Sequence, residues 1–172
     1  SAANGYYEFL VSAGTYIVKV NPNAVAGSYL SAPAGGSYTN TVNPGDAVTT
    51  DDFGFAYNGA IGDTVFNDVN GNGVQNAGEA GIPSVTVLLK DGSNNTLRVL
   101  ATDAQGKYLF KGLADGTYSV VIDTTTIPAG WVQTADPDQP GVPCTTCDNK
   151  GTATISGGAQ VLTQDFGYRA PS

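Results

Sequence analysis

Twelve consecutive residues concentrate the chemistry of this chain: Asp68-Val69-Asn70-Gly71-Asn72-Gly73-Val74-Gln75-Asn76-Ala77-Gly78-Glu79. They satisfy the pattern D-x-[DN]-x-[DN]-G-x5-E at every defined position. Asp68, Asn70 and Asn72 place side-chain oxygens at positions 1, 3 and 5, where a wrapping chain makes them converge. Gly73 at position 6 permits the sharp turn, and the backbone carbonyl of Val74 follows at position 7. Asn76 stands at position 9, where contact runs through water, and Glu79 closes the shell with both oxygens at position 12. Every donor is a hard oxygen, which suits calcium and disfavours zinc or copper. Only Asp68 and Glu79 among the side-chain donors carry charge, so the expected affinity is micromolar to millimolar. The competing reading is an Asn/Gly turn that matches the pattern by chance.

A second acidic group, Asp136, Asp138 and Asp148, flanks the two cysteines of the chain. Carboxylates this close in sequence repel unless a cation or protons intervene. The group is therefore either a second calcium site or a solvated turn. Asp63 and Asp103 stand at strand ends from which each is able to join either site. Cys144 and Cys147 form a lone C-T-T-C, and with no further Cys and no His it cannot complete a tetrahedral zinc site. Its Pro/Asp-rich surroundings are not the helix start of a thioredoxin-like redox motif. A short disulfide and a pair of free thiols remain, and extracellular character favours the disulfide.

Composition narrows the function classes. The 172 residues carry 15 acidic and 7 basic side chains, a net charge of −8, with neither His nor Met. An acidic surface is the wrong sign for nucleic acid or anionic lipid, and the right sign for a hard cation. Without His there is no Ser-His-Asp or Cys-His catalysis. No nucleophile has an evident base, and no phosphate-cradling Gly loop precedes a helix. The Asp136/Asp138 pair is too close in sequence to bracket a sugar from both faces. The expectation is that the chain is not an enzyme. Apolar runs are too short to span a bilayer as a helix. Ser1-Ala2-Ala3 opens straight into a strand-like pattern with no leader signature, as expected of a mature or excised piece.

The elements that must position these residues are strands. Thr15–Val20, Val85–Lys90, Lys107–Lys111 and Thr117–Ile122 are short, rich in β-branched and aromatic residues, and bounded by Gly, Asn or Asp. Tyr118, Val120 and Ile122 share one face, as do Val85, Val87 and Leu89. Ile61–Phe66 before the cation-type loop also reads as a strand, so the loop sits on a β scaffold rather than between helices. Asp91-Gly92 and Asp115-Gly116 read as hairpin turns. Turn signals recur every 8–12 residues, the spacing of an all-β sandwich.

The chain also repeats itself. Thr39–Phe55 aligns without a gap to Thr152–Tyr168, and Asn4–Val20 matches Gln105–Ile122 with one deletion. Residues 1–57 are therefore the C-terminal half of a module whose complete copy is 58–169, with a tail at 170–172. Half a sandwich leaves an apolar face and strand edges open to water. Either the chain is a piece of a longer one, or a neighbouring chain supplies the missing strands and so builds a fibre.

With these motifs in this order, the sequence resembles a known family. Residues 62–89 (GDTVFNDVNGNGVQNAGEAGIPSVTVLL), 102–120 (TDAQGKYLFKGLADGTYSV), 128–131 (PAGW) and 165–168 (DFGY) closely resemble the B repeats of serine-aspartate-repeat surface proteins. Those belong to the CnaB-like, or prealbumin-like, immunoglobulin-type modules. The resemblance implies a β-sandwich of about seven strands, secretion to the cell surface, tandem arrangement in a stalk, and calcium that rigidifies each module. It carries the EF-hand-like ligand set onto Asp68, Asn70, Asn72, Val74 and Glu79. The Cys pair is not a general family feature. The first strand, residues 60–67, has no Lys, so the Lys–Asn isopeptide bond of many CnaB-like domains lacks its amine there. The expected function is a non-enzymatic, calcium-stabilised repeat of an extracellular stalk, adhesin or filament, with adjacent repeats of the same or a neighbouring chain as partners. The alternatives are an adhesin module that binds a host protein or glycan, and an accessory module of a secreted enzyme.

Overall fold

The fold was analysed on a computed structural model that describes residues 4–171. Ser1-Ala2-Ala3 and the last residue of the 170–172 tail lie outside them. The chain forms two compact units, residues 1–56 and 57–172. No helix among the described residues is long and apolar enough to cross a membrane.

The first unit holds β1 (Gly14–Lys19), β2 (Ser28–Ala32) and β3 (Ser37–Val42), with β4 (Gly54–Tyr57) closing it. β1 pairs antiparallel with β3, and β2 pairs with β4, giving two separate two-stranded sheets. β1 alternates between half-buried and exposed residues, as its TYIVK pattern requires. Large apolar side chains stay in water here: Phe9 is 66% exposed and Leu10 90%.

The second unit is a sandwich of two sheets. One sheet contains β5 (Gly59–Asn67), β8 (Lys107–Leu113), β10 (Val132–Ala135), β12 (Gln160–Val161) and β13 (Phe166–Arg169). β5 is its central strand, antiparallel to β8 and parallel to β12 and β13. The other sheet runs β11–β9–β6–β7, from β6 (Thr86–Lys90), β7 (Thr96–Ala101), β9 (Gly116–Ile122) and β11 (Lys150–Ile155), all antiparallel. Ile61 and Val65 of β5, Val87 and Leu89 of β6, Phe110 of β8, Val120 of β9 and Phe166 of β13 form a core that excludes water almost completely. A two-residue side-chain period in each strand sends these residues inward and their neighbours outward. The fold is thus all-β of the sandwich type, with Val85, Val87 and Leu89 on the buried face their alternation indicated.

Two features depart from the sequence reading. Asp91-Gly92 does turn the β6–β7 hairpin, with Asp91 Oδ1 accepting from the Ser93 and Asn95 amides at 2.9 Å each. Asp115-Gly116 does not turn a hairpin. It carries the chain from β8 in one sheet to β9 in the other, and Asp115 accepts from the Gly157 and Gly158 amides at 2.8 and 3.0 Å. Asp-Gly specifies a tight turn in either case, but whether the flanking strands pair depends on contacts far away in sequence. β7 was the second departure: its exposed TLRVLA stretch lacks a clean apolar alternation, and pairing with β6 alone makes it a strand.

The internal repeat is visible in the backbone. Gly14 pairs with Val42 and Thr15 with Thr41, the register in which Gly116 pairs with Ile155 and Thr117 with Thr154. The two threonine hydroxyl pairs recur at 3.2 and 3.0 Å. Tyr16 donates its hydroxyl to the Ser12 carbonyl and Tyr118 donates to that of Ala114, both at 3.0 Å. Tyr7 donates to Asp51 as Tyr108 donates to Gln164.

Candidate metal centre

The Asp68–Glu79 loop leaves the end of β5 and returns through an isolated bridge between Phe66 and Gly81. Its mouth is fixed by three backbone bonds: Asn67 N to Ala80 O at 2.8 Å, Asp68 N to Tyr168 O at 2.9 Å, and Ile82 N to Val65 O at 2.8 Å. Gly81 is held so tightly that an added Cβ would lie 1.9 Å from the Gln105 carbonyl oxygen. The loop therefore starts and ends on the core of the sandwich, and its shape is coupled to the packing beneath it.

Asp68 is fully buried. Its carboxylate accepts from the Asn72 amide at 3.1 Å and the Gly73 amide at 2.9 Å, which folds the chain back over it. The Asn70 and Asn72 side-chain oxygens accept from the Asn72 and Val74 amides, both at 2.9 Å. Glu79 reaches back across the loop and accepts from the Asn76 amide at 2.8 Å and the Asn70 amide at 3.4 Å. The side-chain amides of Asn70 and Asn72 both donate to Asn76 Oδ1, at 2.7 and 2.8 Å. The structure thus brings Asp68, Asn70, Asn72, Asn76 and Glu79 into one loop. Three neutral amides converge where three carboxylates would repel, and hydrogen bonds join them. Rotating an amide by half a turn exchanges its NH2 for its oxygen at the same place. A hard cation at that point fits the donor chemistry.

Gly73 has a second reason to be glycine. Its φ of 78° is in the left-handed region, and an added Cβ would lie 2.1 Å from the Val142 carbonyl oxygen. Val142 belongs to the segment between Asp136 and Asp148, so the two acidic regions are packed backbone to backbone.

Asp136, Asp138 and Asp148 each bring a carboxylate oxygen within 4.8 Å of the other two. Asp136 is buried and Asp138 and Asp148 are exposed. Asp136 accepts from Gln133 Nε2 at 3.0 Å and from the Asp138 and Asp148 amides at 3.1 and 3.3 Å. Burial raises its pKa, and the amide bonds partly oppose that; the neighbouring charges of Asp148 and Asp138 raise it further. A disulfide joins Cys144 to Cys147, with Cα atoms 5.5 Å apart, and pins the chain just before Asp148.

Asp63 and Asp103 are not brought to either group. Asp63 lies midway along β5, about 16 Å of extended strand from Asp68. It pairs with Lys107 Nζ at 3.7 Å. Asp103 accepts from the Gln105 and Lys107 amides at 2.9 and 2.8 Å, closing the turn before β8.

Asp165, which sequence reasoning passed over, is the most perturbed carboxyl. Burial and the nearby Asp63 charge raise its pKa to about 6, with the Thr64 amide at 3.1 Å and Lys107 opposing the shift. Its only sequence signal was the acidic residue in D-F-G-Y. A folded-state pKa above the unfolded value means that the native protein binds the proton more tightly. The contribution is therefore unfavourable above about pH 6 and is relieved as pH falls toward about 4. Asp165→Asn is expected to stabilise the second unit by about 1–2 kcal/mol at pH 7.5, discounted for partial exposure, and by almost nothing at pH 4. Urea melts of both proteins at the two pH values check this. An equal difference at both would contradict it.

Trp131 packs partly against the core and lines an open cleft of about 380 Å³ with Ile127, Gln133, Cys147, Asn149 and Tyr168.

Comparison with known proteins identifies the family. Residues 59–168 match the model of the SdrD B-like domain. The chain is 36% identical over 189 residues to serine-aspartate repeat-containing protein E of Staphylococcus aureus (strain USA300), covering 98% of this chain and 15% of that protein. It is 34% identical over 181 residues to serine-aspartate repeat-containing protein F of Staphylococcus epidermidis, covering 98% of this chain and 10% of the relative. The chain thus spans only a small part of the relatives it matches. Among solved structures, the Bacillus anthracis TIE protein superposes with a TM-score of 0.55 at 19% identity, over 92% of this chain and 25% of the other, a likeness of fold. The chain belongs to the SdrD B-like domain family.

Proposed function

We propose that the chain is a calcium-stiffened segment of an extracellular stalk or filament. The observation that carries this reading is the Asp68–Glu79 loop, with one buried carboxylate, one carboxylate closing the ring and three amides converging between them. Calcium there would be held by Asp68, Asn70, Asn72, the Val74 carbonyl and Glu79, with Asn76 acting through water. Because the loop is anchored to β5, β13 and the Val142 segment, an ion that ties its ends together stiffens one whole end of the sandwich. Binding to the folded state alone stabilises by mass action, about 2.7 kcal/mol at a hundredfold excess over Kd. The Asp136, Asp138 and Asp148 group supports a second, weaker calcium site on the same end, its geometry maintained by the disulfide.

Titration calorimetry of the full chain with calcium chloride tests the reading. The expected result is micromolar to millimolar binding that Glu79→Ala weakens about tenfold or more, and a melting temperature about 10 °C higher in saturating calcium than in chelator. No heat of binding, or binding indifferent to Glu79→Ala, overturns it.

The Trp131 cleft supports an adhesive role as the second reading. Quenching of this single tryptophan by a host protein or glycan is the result that would favour it over a purely mechanical one.

A further inference from the structure

Four Asn-Gly pairs stand in the chain, Asn4-Gly5, Asn58-Gly59, Asn70-Gly71 and Asn72-Gly73, and the last two lie in the Asp68–Glu79 loop. In an Asn-Gly pair the glycine nitrogen is free to attack the side-chain amide, because no Cβ blocks its approach. We infer that Asn70 is a site of spontaneous deamidation, which turns position 3 of the loop from an amide into a carboxylate, and that its neighbour Asn72 is not.

The reaction balances with water as the only co-reactant. The Gly71 nitrogen gives its proton to solvent base and bonds to Asn70 Cγ. The Cγ–Nδ2 bond breaks, and the side-chain nitrogen takes a proton from solvent and leaves as ammonia. Water then opens the cyclic imide. Cleavage of the new N–Cγ bond gives aspartate, and cleavage of the original peptide bond gives isoaspartate. Nothing is oxidised or reduced.

Each part of this reaction is assisted at Asn70. Its Oδ1 accepts from the Asn72 amide at 2.9 Å, a donor that stabilises the oxyanion formed when Cγ is attacked. The Arg169 guanidinium lies against Gly71, where an added Cβ would be 2.8 Å from Nη1. A positive charge this close favours the nitrogen anion that attacks. The Gly71 amide itself is held only by the neutral Asp68 carbonyl, at 3.2 Å. Asn70 is exposed, so water reaches the imide.

Asn72 has a matching oxyanion donor, the Val74 amide at 2.9 Å, but its glycine is differently placed. The Gly73 amide donates to Asp68 Oδ2 at 2.9 Å, and the charge of that buried carboxylate opposes a nitrogen anion. A carboxylate is too weak a base to take an amide proton, so the bond restrains the nitrogen rather than activating it. Gly73 is also buried and pinned against Val142. Asn58-Gly59 is closed for a steric reason, since Gly59 is buried in β5 against the Leu113 carbonyl. Gly5 has open space around it, so Asn4 is the internal reference for an unconstrained pair.

The aspartate product adds a third carboxylate beside Asp68 and Glu79. That this raises cation affinity rests on the calcium reading above, whereas the conversion itself does not.

The test ages the full chain at neutral pH in chelator, once folded and once in concentrated urea. After digestion, tandem mass spectrometry measures amide-to-acid conversion at each of the four asparagines. In the folded chain Asn70 should convert about tenfold or more faster than Asn72 and Asn58. In urea the three rates should converge, because the surroundings that separate them are gone. Arg169→Gln should slow Asn70 about tenfold and leave Asn4 unchanged, with Trp131 fluorescence verifying that the second unit stays folded. Equal rates at Asn70 and Asn72 in the folded chain, or a difference that persists in urea, overturn the inference. So does a rate at Asn70 that Arg169→Gln leaves unchanged. Absence of calcium binding would not alter these rates, so the two readings fail separately.

Discussion

Phe166→Ala should unfold the second unit far more easily, at a cost of about 3–5 kcal/mol, whereas Phe53→Ala should cost about 1 kcal/mol. The two phenylalanines occupy the same place in the repeated D-F-G motif, so local sequence cannot distinguish them. What differs is their surroundings. Phe166 is fully buried, opposite Val65 of β5 and within the continuous core. Removing its ring leaves a cavity whose walls belong to strands that cannot collapse inward. Phe53 instead packs against Tyr38 and Tyr7, with ring centroids 5.3 and 6.1 Å away, and remains in contact with water. Water fills the space that the ring leaves, so only the transfer of a partly exposed ring and its aromatic contacts is lost. Thermal melts of the two variants, with Trp131 reporting on the second unit, measure the difference. Equal losses would mean that the first unit has a closed core of its own.

Gly73→Ala is expected to destabilise the second unit by about 3 kcal/mol and to abolish the proposed calcium binding together with it. Two costs combine at this residue. Its φ of 78° disfavours any Cβ, and the Cβ would fall 2.1 Å from the Val142 carbonyl oxygen. Because that contact is backbone on both sides, no side-chain rotation relieves it. The chain must instead open the contact between the Asp68 loop and the disulfide-bearing segment. Opening it pulls the Gly73 amide from Asp68 Oδ2, a 2.9 Å bond to a buried carboxylate. Gly78→Ala is the control: its φ is also positive, at 94°, but nothing lies within 4 Å of the added carbon. It should cost about 1 kcal/mol. If both variants lose the same amount, backbone strain alone accounts for Gly73 and the packing against Val142 is irrelevant.

Much of the candidate site is legible in the sequence because the candidate cation loop is local. Its donors lie within twelve residues, and the hydrogen bonds that shape it join residues two to nine positions apart. Asp136, Asp138 and Asp148 are nearly as local, and they bracket a disulfide whose cysteines are three positions apart. Asp165 was illegible for the opposite reason. Its pKa depends on Asp63, about a hundred residues away in sequence, and on burial between β12 and β13. Asp63 and Asp103 were candidate ligands by residue type, and the strand geometry gave them other partners.

The amino-acid sequence alone determined the strand periodicity, the twelve-residue oxygen-donor loop and the repeat at an offset of 113 positions, as from Phe53 to Phe166. These follow from side-chain alternation, turn chemistry and direct residue identity, all of which are properties of neighbours or of aligned copies. Only the tertiary structure decided that Asp115-Gly116 crosses between sheets, that the Asp68 loop rests on the Val142 segment, and that two equal copies of D-F-G have unequal fates. Burial is a property of what lies opposite in space. Phe53 and Phe166 share their local sequence, and what packs opposite each in space decides which one is core.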